Sequence, residues 1–216
     1  MPGIIIHLAF AKEILKNSSQ KIELNSKDFL SGSLIPDLAT NKKLSHYRMN
    51  ASKRGFLVPN LYEAKKGLLN KKSSLKLGIY SHLYLDYYFI ENYLLKEFIF
   101  DRENMLVINP KNKKTWTTTS FFSKPQDGGI LYKGYNEINQ LILNDRIVNI
   151  SDINTLPNHL PNSGISIFDI RKDKCWKDEL SFYLDKNINY TGDILEYNRL
   201  MNIIINFAKK FVKEEL

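Results

Sequence analysis

Apolar residues along this chain recur mostly at intervals of three and four, the spacing of an amphipathic α-helix. The segment 3–16 shows this spacing and predicts a first helix. Capping residues and helix breakers divide the rest of the chain into further helical segments. These predicted helices cover about 25–32, 59–69, 74–100, 130–144, 177–187 and 193–214.

Three segments depart from the helical pattern. Residues 33–48 contain Pro36, so we expect a loop or a short helix there. Residues 105–122 hold two runs rich in Val, Ile, Thr and aromatic residues around a polar Asn-Pro turn, which predicts a β-hairpin. Residues 149–176 contain Pro157, Pro161 and Gly164 and predict a segment rich in loops. The whole pattern predicts a mainly α, multi-helix bundle with a small β-hairpin insertion.

Composition is that of an ordinary globular protein. The 216 residues are 43% hydrophobic and 25% charged, so we expect one domain spanning 1–216. The single cysteine, Cys175, excludes an intramolecular disulfide and a cysteine-based zinc finger. No apolar run approaches the roughly 18 residues of a membrane span, and the N-terminus lacks the features of a signal peptide. We therefore expect a cytoplasmic protein.

The net charge of +8 is unevenly distributed. Residues 1–86 contain 14 Lys and Arg against 6 Asp and Glu, whereas residues 87–216 contain 17 of each. A local basic excess favours an anionic partner such as a phosphate, a nucleic acid or an acidic membrane surface. Solvated lysines on helix faces explain the same excess, so charge alone does not select a function.

Histidine and aspartate residues form the chemically informative pattern. His82 and Asp86 are four residues apart on the longest predicted helix and therefore project from one face. Within an otherwise apolar helix, Asp86 requires a compensating cation, which is either a metal ion or a basic side chain. Gly78, on the same face, allows another backbone or a ligand to approach closely.

Three further residues extend this pattern. Asp37 and His46 lie on the segment predicted as loop, and His7 interrupts the apolar face of the first helix. Together the five residues offer the nitrogen and oxygen ligands that zinc or a similar transition ion prefers. They suffice for one five-coordinate ion or for two ions bridged by a carboxylate. A core histidine at position 7 and a structural His–Asp pair remain the alternatives.

The order of these motifs resembles the zinc-dependent phospholipase C family, whose superfamily also contains P1-type nucleases. The resemblance rests on His7, GSLIPD (32–37), SHY (45–47) and GIYSHLYLD (78–86), and it covers about residues 3–90. It implies an α-helical fold with a zinc cluster that hydrolyses phosphate esters by means of a metal-activated water. It also implies metal ligation by His7, Asp37, His46, His82 and Asp86, with Asp86 as the bridging carboxylate.

The resemblance also implies a reaction and a substrate class. We expect a phosphodiesterase or related hydrolase that acts on a phospholipid or a small phosphate ester, with one or two zinc ions. Asp37 is then both a ligand and the residue that orients or deprotonates the attacking water. Arg48 and Arg54 are candidates for binding the anionic substrate.

Two other functions compete with this one. A phosphohydrolase of the HD-domain type is disfavoured because the chain contains no adjacent His-Asp dipeptide. A non-catalytic basic helical module that binds nucleic acid or a partner protein, with any metal purely structural, remains the principal alternative. It predicts a salt-dependent affinity for DNA or RNA.

Overall fold

The computed structural model describes residues 3–18, 23–49, 57–69, 73–123, 129–170, 176–177, 180 and 190–216. It confirms the predicted mainly α fold. A π-helical turn, Ile90–Leu94, joins the fifth helix to the sixth, and a 3₁₀ turn covers Ser166–Phe168. The α-helices are α1 Ile4–Ser18, α2 Ser26–Leu38, α3 Lys42–Ser45, α4 Leu61–Leu68, α5 Ser74–Phe89, α6 Leu95–Glu97, α7 Thr118–Phe122, α8 Ile130–Asn144, α9 Ile150–Thr155 and α10 Tyr197–Glu215.

Short antiparallel strands form two small sheets. The strands are β1 Arg48–Met49, β2 Val58–Pro59, β3 Ile99–Asp101, β4 Leu106–Ile108 and β5 Thr115–Thr117. Strand β1 pairs with β2, and the second sheet has the order β3-β4-β5. The β4–β5 pair, with Val107 opposite Trp116, confirms the core of the predicted hairpin.

The ends of that hairpin prediction were wrong. Residues 99–100, predicted as the end of a helix, belong to β3, because the backbone turns extended at Phe98. Residues 118–122, predicted as strand, form α7. The Thr117 side chain caps this helix by accepting a hydrogen bond from the Ser120 N–H at 3.1 Å. The threonine-rich run therefore contains the start of a helix.

Pro36 does not end α2, which contradicts the predicted break. A proline removes its own N–H from the helical ladder and its ring crowds the carbonyl four residues earlier, which kinks a helix or breaks it. The next donors still close the last turn, since the Ala39 N–H bonds the Ile35 carbonyl at 3.0 Å. Asn25 caps the start of this helix, because its side chain accepts a hydrogen bond from the Asp28 N–H at 3.0 Å.

Helices α2 and α5 cross with their backbones in contact at two glycines. A Cβ added at Gly32 would lie 2.1 Å from the Leu75 carbonyl oxygen, and one added at Gly78 would lie 2.1 Å from the Phe29 carbonyl oxygen. Only glycine allows this approach, as the sequence predicted for Gly78. The crossing places the second half of α2 beside the second half of α5.

Helix α1 is buried on nearly all sides and packs against α2, α5, α8 and α10. Helix α10 turns an apolar stripe inward, where Phe211 meets Phe10 and Tyr84 at ring-centroid distances of 6.3 and 5.1 Å. It begins at Tyr197 rather than at the predicted 193, because Glu196 caps the N–H groups of its first turn. Most of the predicted helix 177–187 lies outside the described residues. In the described part of the chain, no helix combines the length and the apolarity needed to cross a membrane.

Candidate metal centre

Five side chains from four separate elements meet beside the α2–α5 crossing. His7 comes from α1, Asp37 from the last turn of α2, and His46 from the residue that ends α3. His82 and Asp86 come from consecutive turns of α5. The structure therefore brings together all five residues that the sequence nominated as ligands.

Asp86 lies at the middle of this group. Its Oδ2 atom is 3.4 Å from His82 Nε2 and 3.6 Å from His46 Nε2, and its Oδ1 atom is 3.4 Å from His7 Nε2. The side chains of all four residues are fully buried. One carboxylate thus offers each of its oxygens to a different set of imidazoles, which is the arrangement a bridging ligand requires.

Asp37 completes the group from the other side. Its Oδ1 atom is 3.4 Å from His46 Nε2 and 4.0 Å from His82 Nε2, and its side chain is 18% exposed. Among the five side chains, Asp37 is the one that solvent reaches. A small molecule would therefore meet the centre on this side.

Backbone carbonyls fix the orientation of two imidazole rings. His82 Nδ1 lies 2.7 Å from the Ser33 carbonyl oxygen, and His46 Nδ1 lies 2.8 Å from the Lys42 carbonyl oxygen. A carbonyl only accepts, so each Nδ1 carries a proton, and in the neutral form of the ring Nε2 presents a lone pair. Hydrogen bonds of this kind commonly orient metal-binding histidines.

These lone pairs face one another without a donor between them. The Nε2 atoms of His46 and His82 are 3.3 Å apart. Among the described residues, neither ring nitrogen of His7 and neither oxygen of Asp86 has a hydrogen-bond partner, although all are buried. Buried acceptors left in this state are costly. A cation among them would remove the cost, and nitrogen with carboxylate oxygen is a donor set that suits zinc.

The donor atoms divide into two overlapping groups of three that could each hold an ion. One comprises His7, Asp37 and His82, and the other comprises His46, His82 and Asp86. Within each group the donor atoms lie within 4.8 Å of one another. His7 also stacks on His82, with ring centroids 3.6 Å apart and planes 7° from parallel. The residues therefore fit a metal site.

Burial and neighbouring charges shift the pKa values of two aspartates and two histidines in the centre. Burial acts to raise the pKa of Asp86, but His82 and His7 outweigh it and hold that pKa below its usual range. Burial is likewise outweighed at Asp37, where His82 and His46 lower the pKa. Burial tends to lower the pKa of His82, yet Asp86 and Asp37 raise it. Desolvation lowers the pKa of His7. At neutral pH both carboxylates are ionised and strongly attract a cation.

The structure adds residues that sequence reasoning missed. Helix α8 carries Tyr132, Tyr135 and Asn139 on one face. Tyr135 and Asn139 are buried, and neither the Tyr135 hydroxyl nor the Asn139 amide has a hydrogen-bond partner among the described residues. Helix α8 packs against α1, which carries His7, and burial together with the charges of Asp37 and Asp86 raises the pKa of both tyrosines. The helical spacing 132, 135, 139 was the available signal. Arg48 lies on β1, whereas Arg54 lies outside the described residues.

Comparison with known proteins gives one match. Residues 6–89 match the family model described as zinc dependent phospholipase C. This segment contains all five residues of the centre, and the match confirms the resemblance found in the sequence. The match supports the assignment of this protein to the hydrolases. No curated protein and no solved structure matches the chain significantly.

Proposed function

Because residues 6–89 match the zinc-dependent phospholipase C family, we propose that this protein is a zinc-dependent hydrolase of phosphate esters. One observation carries the proposal. Histidine nitrogens and carboxylate oxygens from α1, α2, α5 and the end of α3 converge on one point, and the buried donor atoms of His7 and Asp86 have no hydrogen-bond partner among the described residues. The basic excess of residues 1–86 suits an anionic substrate.

We assign one or two zinc ions to the centre. Asp37, His46, His82 and Asp86 would hold the first ion, since their donor atoms face one another at 3.3 to 4.0 Å. The Oδ1 atom of Asp86 and the Nε2 atom of His7, 3.4 Å apart, would contribute to a second. Bound zinc supplies an acidified water and neutralises charge that develops on the phosphate.

Asp37 is the proposed catalytic residue. Its position at the solvent side of the centre lets it contact both the incoming substrate and the attacking water. Because its pKa is lowered, the carboxylate is ionised at neutral pH and accepts a hydrogen bond from that water. This contact orients the water toward phosphorus and makes Asp37 the first acceptor of its proton. The buried His82 and His46 keep their orientation through Ser33 and Lys42.

The substrate class is a phospholipid or a small phosphate ester. The test uses zinc-loaded protein with p-nitrophenyl phosphate, bis(p-nitrophenyl) phosphate and phosphatidylcholine vesicles, beside an Asp37→Asn variant loaded with zinc in the same way. We expect hydrolysis of at least one substrate, reduced by about 100-fold or more in the variant, the size typical of losing a general base. Equal rates for the two proteins, or no hydrolysis by either, would contradict the proposal. Salt-dependent binding of DNA or RNA without hydrolysis would favour the basic binding module.

A further inference from the structure

A cleft of about 470 Å³ is lined by residues of the π-helical turn, of α6 and of the first half of α10. None of the five residues of the metal centre lines it. Sites for small molecules typically have volumes of about 300–1,000 Å³. The cleft is therefore large enough for a small ligand, and the proposed hydrolysis does not use it.

A hydrogen bond and an ion pair hold the two walls of this cleft together. The Glu196 N–H, at the start of α10, donates to the Tyr93 hydroxyl of the π-helical turn at 3.1 Å. The Arg199 guanidinium lies 2.6 Å from the carboxylate of Glu97, whose side chain is only 7% exposed. Such π-helical turns are frequent at functional sites. Because the walls are already fixed, a ligand pays little to order them.

Four asparagine side chains line the cleft, and none of them has a hydrogen-bond partner among the described residues. They are Asn92, Asn198, Asn202 and Asn206. Elsewhere the fold uses such amides, since Asn109 and Asn112 both donate to the Asp193 carbonyl, at 3.2 and 3.1 Å. Three of the four recur at every fourth residue of α10 and so form one row about 12 Å long. Each amide offers both donors and an acceptor to a ligand.

The rest of the lining favours an uncharged ligand with an apolar face. Because Arg199 is paired with Glu97, the described lining keeps one cation, Lys96, and one carboxylate, Glu196. Phe207 is half-buried against the core and offers an apolar surface in the cleft. A sugar presents hydroxyl groups that each donate and accept, and C–H groups on the face of its ring. This chemistry matches a row of amides beside an aromatic ring.

We propose that this cleft binds a carbohydrate of one or two rings. The asparagine row on α10 exchanges hydrogen bonds with the hydroxyl groups of the sugar, Asn92 contacts it from the opposite wall, and Phe207 packs against the ring. No residue of the metal centre takes part, so binding is independent of zinc.

The test titrates isotope-labelled protein with glucose, mannose, N-acetylglucosamine and maltose, with and without zinc. Two-dimensional NMR observes the asparagine side-chain amides directly. We expect at least one sugar to bind with a Kd on the order of 1 mM. The amide signals of the α10 row should then shift, whereas those of Asn109 and Asn112, which are already bonded to Asp193, should not.

The variant Asn202→Leu removes the middle amide of the row and keeps a good helix former. We expect it to weaken sugar binding by about tenfold or more, the loss typical of removing two hydrogen bonds. Asn154→Leu is the matched control, because Asn154 is also exposed on a helix, α9, but does not line the cleft. Asn198→Leu replaces Asn202→Leu if the latter does not fold.

The outcome is separable from that of the proposed function. Sugar binding that depends on the asparagine row would support the cleft even in a protein that takes up no zinc and hydrolyses nothing. If none of the four sugars bound at up to about 50 times the expected Kd, the proposal would be overturned. An affinity that is unchanged in Asn202→Leu would overturn it as well.

Discussion

The contact between Gly78 and the backbone of α2 gives a prediction that links the fold to the centre. In Gly78→Ala the new methyl group would lie 2.1 Å from the Phe29 carbonyl oxygen, whereas ordinary contact begins at 3.4 Å. The obstacle is backbone, so a side-chain rotation cannot relieve it. Helices α2 and α5 must separate locally by about 1.3 Å, or the clash must be absorbed as strain of about 1–3 kcal/mol or more.

The same separation would damage the metal centre. His82 lies one turn beyond Gly78 and bonds the Ser33 carbonyl of α2 at 2.7 Å. Moving the helices apart by the required amount would stretch that contact to about 4 Å, beyond hydrogen-bond reach. Loss of an orienting hydrogen bond of this kind typically lowers metal affinity by about 10- to 100-fold. For a chain of this size, a loss of about 3 kcal/mol would lower Tm by roughly 6–12 °C.

The assay pairs thermal unfolding of metal-free protein with zinc titration against a chromophoric chelator. Gly67→Ala is the matched control, because a Cβ there meets only the tip of the Tyr47 side chain, with its hydroxyl at 2.8 Å. We expect the control to keep its zinc affinity and to be as stable as the unaltered protein, or more stable, since alanine favours a helix. If Gly78→Ala bound zinc normally and melted within about 2 °C of the unaltered protein, the glycine contact would not position His82.

Further predictions concern the core, the ligands and the pH dependence. Phe211→Ala removes a fully buried ring and should lower the free energy of unfolding, measured in denaturant, by about 3–5 kcal/mol. Loss of zinc from the still-folded variant would contradict a purely structural role for Phe211. His82→Ala should abolish zinc binding while circular dichroism stays native; global unfolding would indicate a structural metal. Because Asp86 and Asp37 raise the pKa of His82, a proton persists on its ring above the ordinary value and is lost as pH rises. Zinc must displace that proton, so the affinity for zinc should increase from about pH 6 to 8 and binding should release a proton. Calorimetry in buffers of different ionisation enthalpy measures both effects. A zinc affinity independent of pH would contradict this coupling.

Part of the convergence of side chains could be predicted from the sequence, because His82 and Asp86 follow a local rule. His82 and Asp86 are one helical turn apart, so any helix there places them together. Gly78 on the same face predicted a close backbone approach, and α2 supplies it. Asp37 and His46 were nominated by residue type on a predicted loop and then by the family resemblance, because their separation along the chain from His82 carries no geometric signal.

The rest of the site depends on packing between distant segments. Tyr132 and Tyr135 lie on α8, which packs against α1, the helix that carries His7, and no local pattern near residue 132 predicts that packing. The same limit applies to β3, which pairs with β4 only after the helical segment ends at Glu97. The predicted break at Pro36 was wrong, because α2 continues to Leu38 and the Ala39 N–H still bonds the Ile35 carbonyl at 3.0 Å.

The central claim is that the five converging side chains hold metal. Elemental analysis of protein purified without chelator or histidine tag tests it directly, with Asp86→Asn as the disrupting variant. Asp169→Asn serves as the control, because Asp169 is exposed and its backbone carbonyl, not its side chain, accepts the hydrogen bond from the Thr40 N–H at 3.0 Å. The account predicts one or two zinc ions per chain in the unaltered protein and in the control, and their loss in Asp86→Asn. A folded, metal-free protein that takes up no added zinc would contradict it.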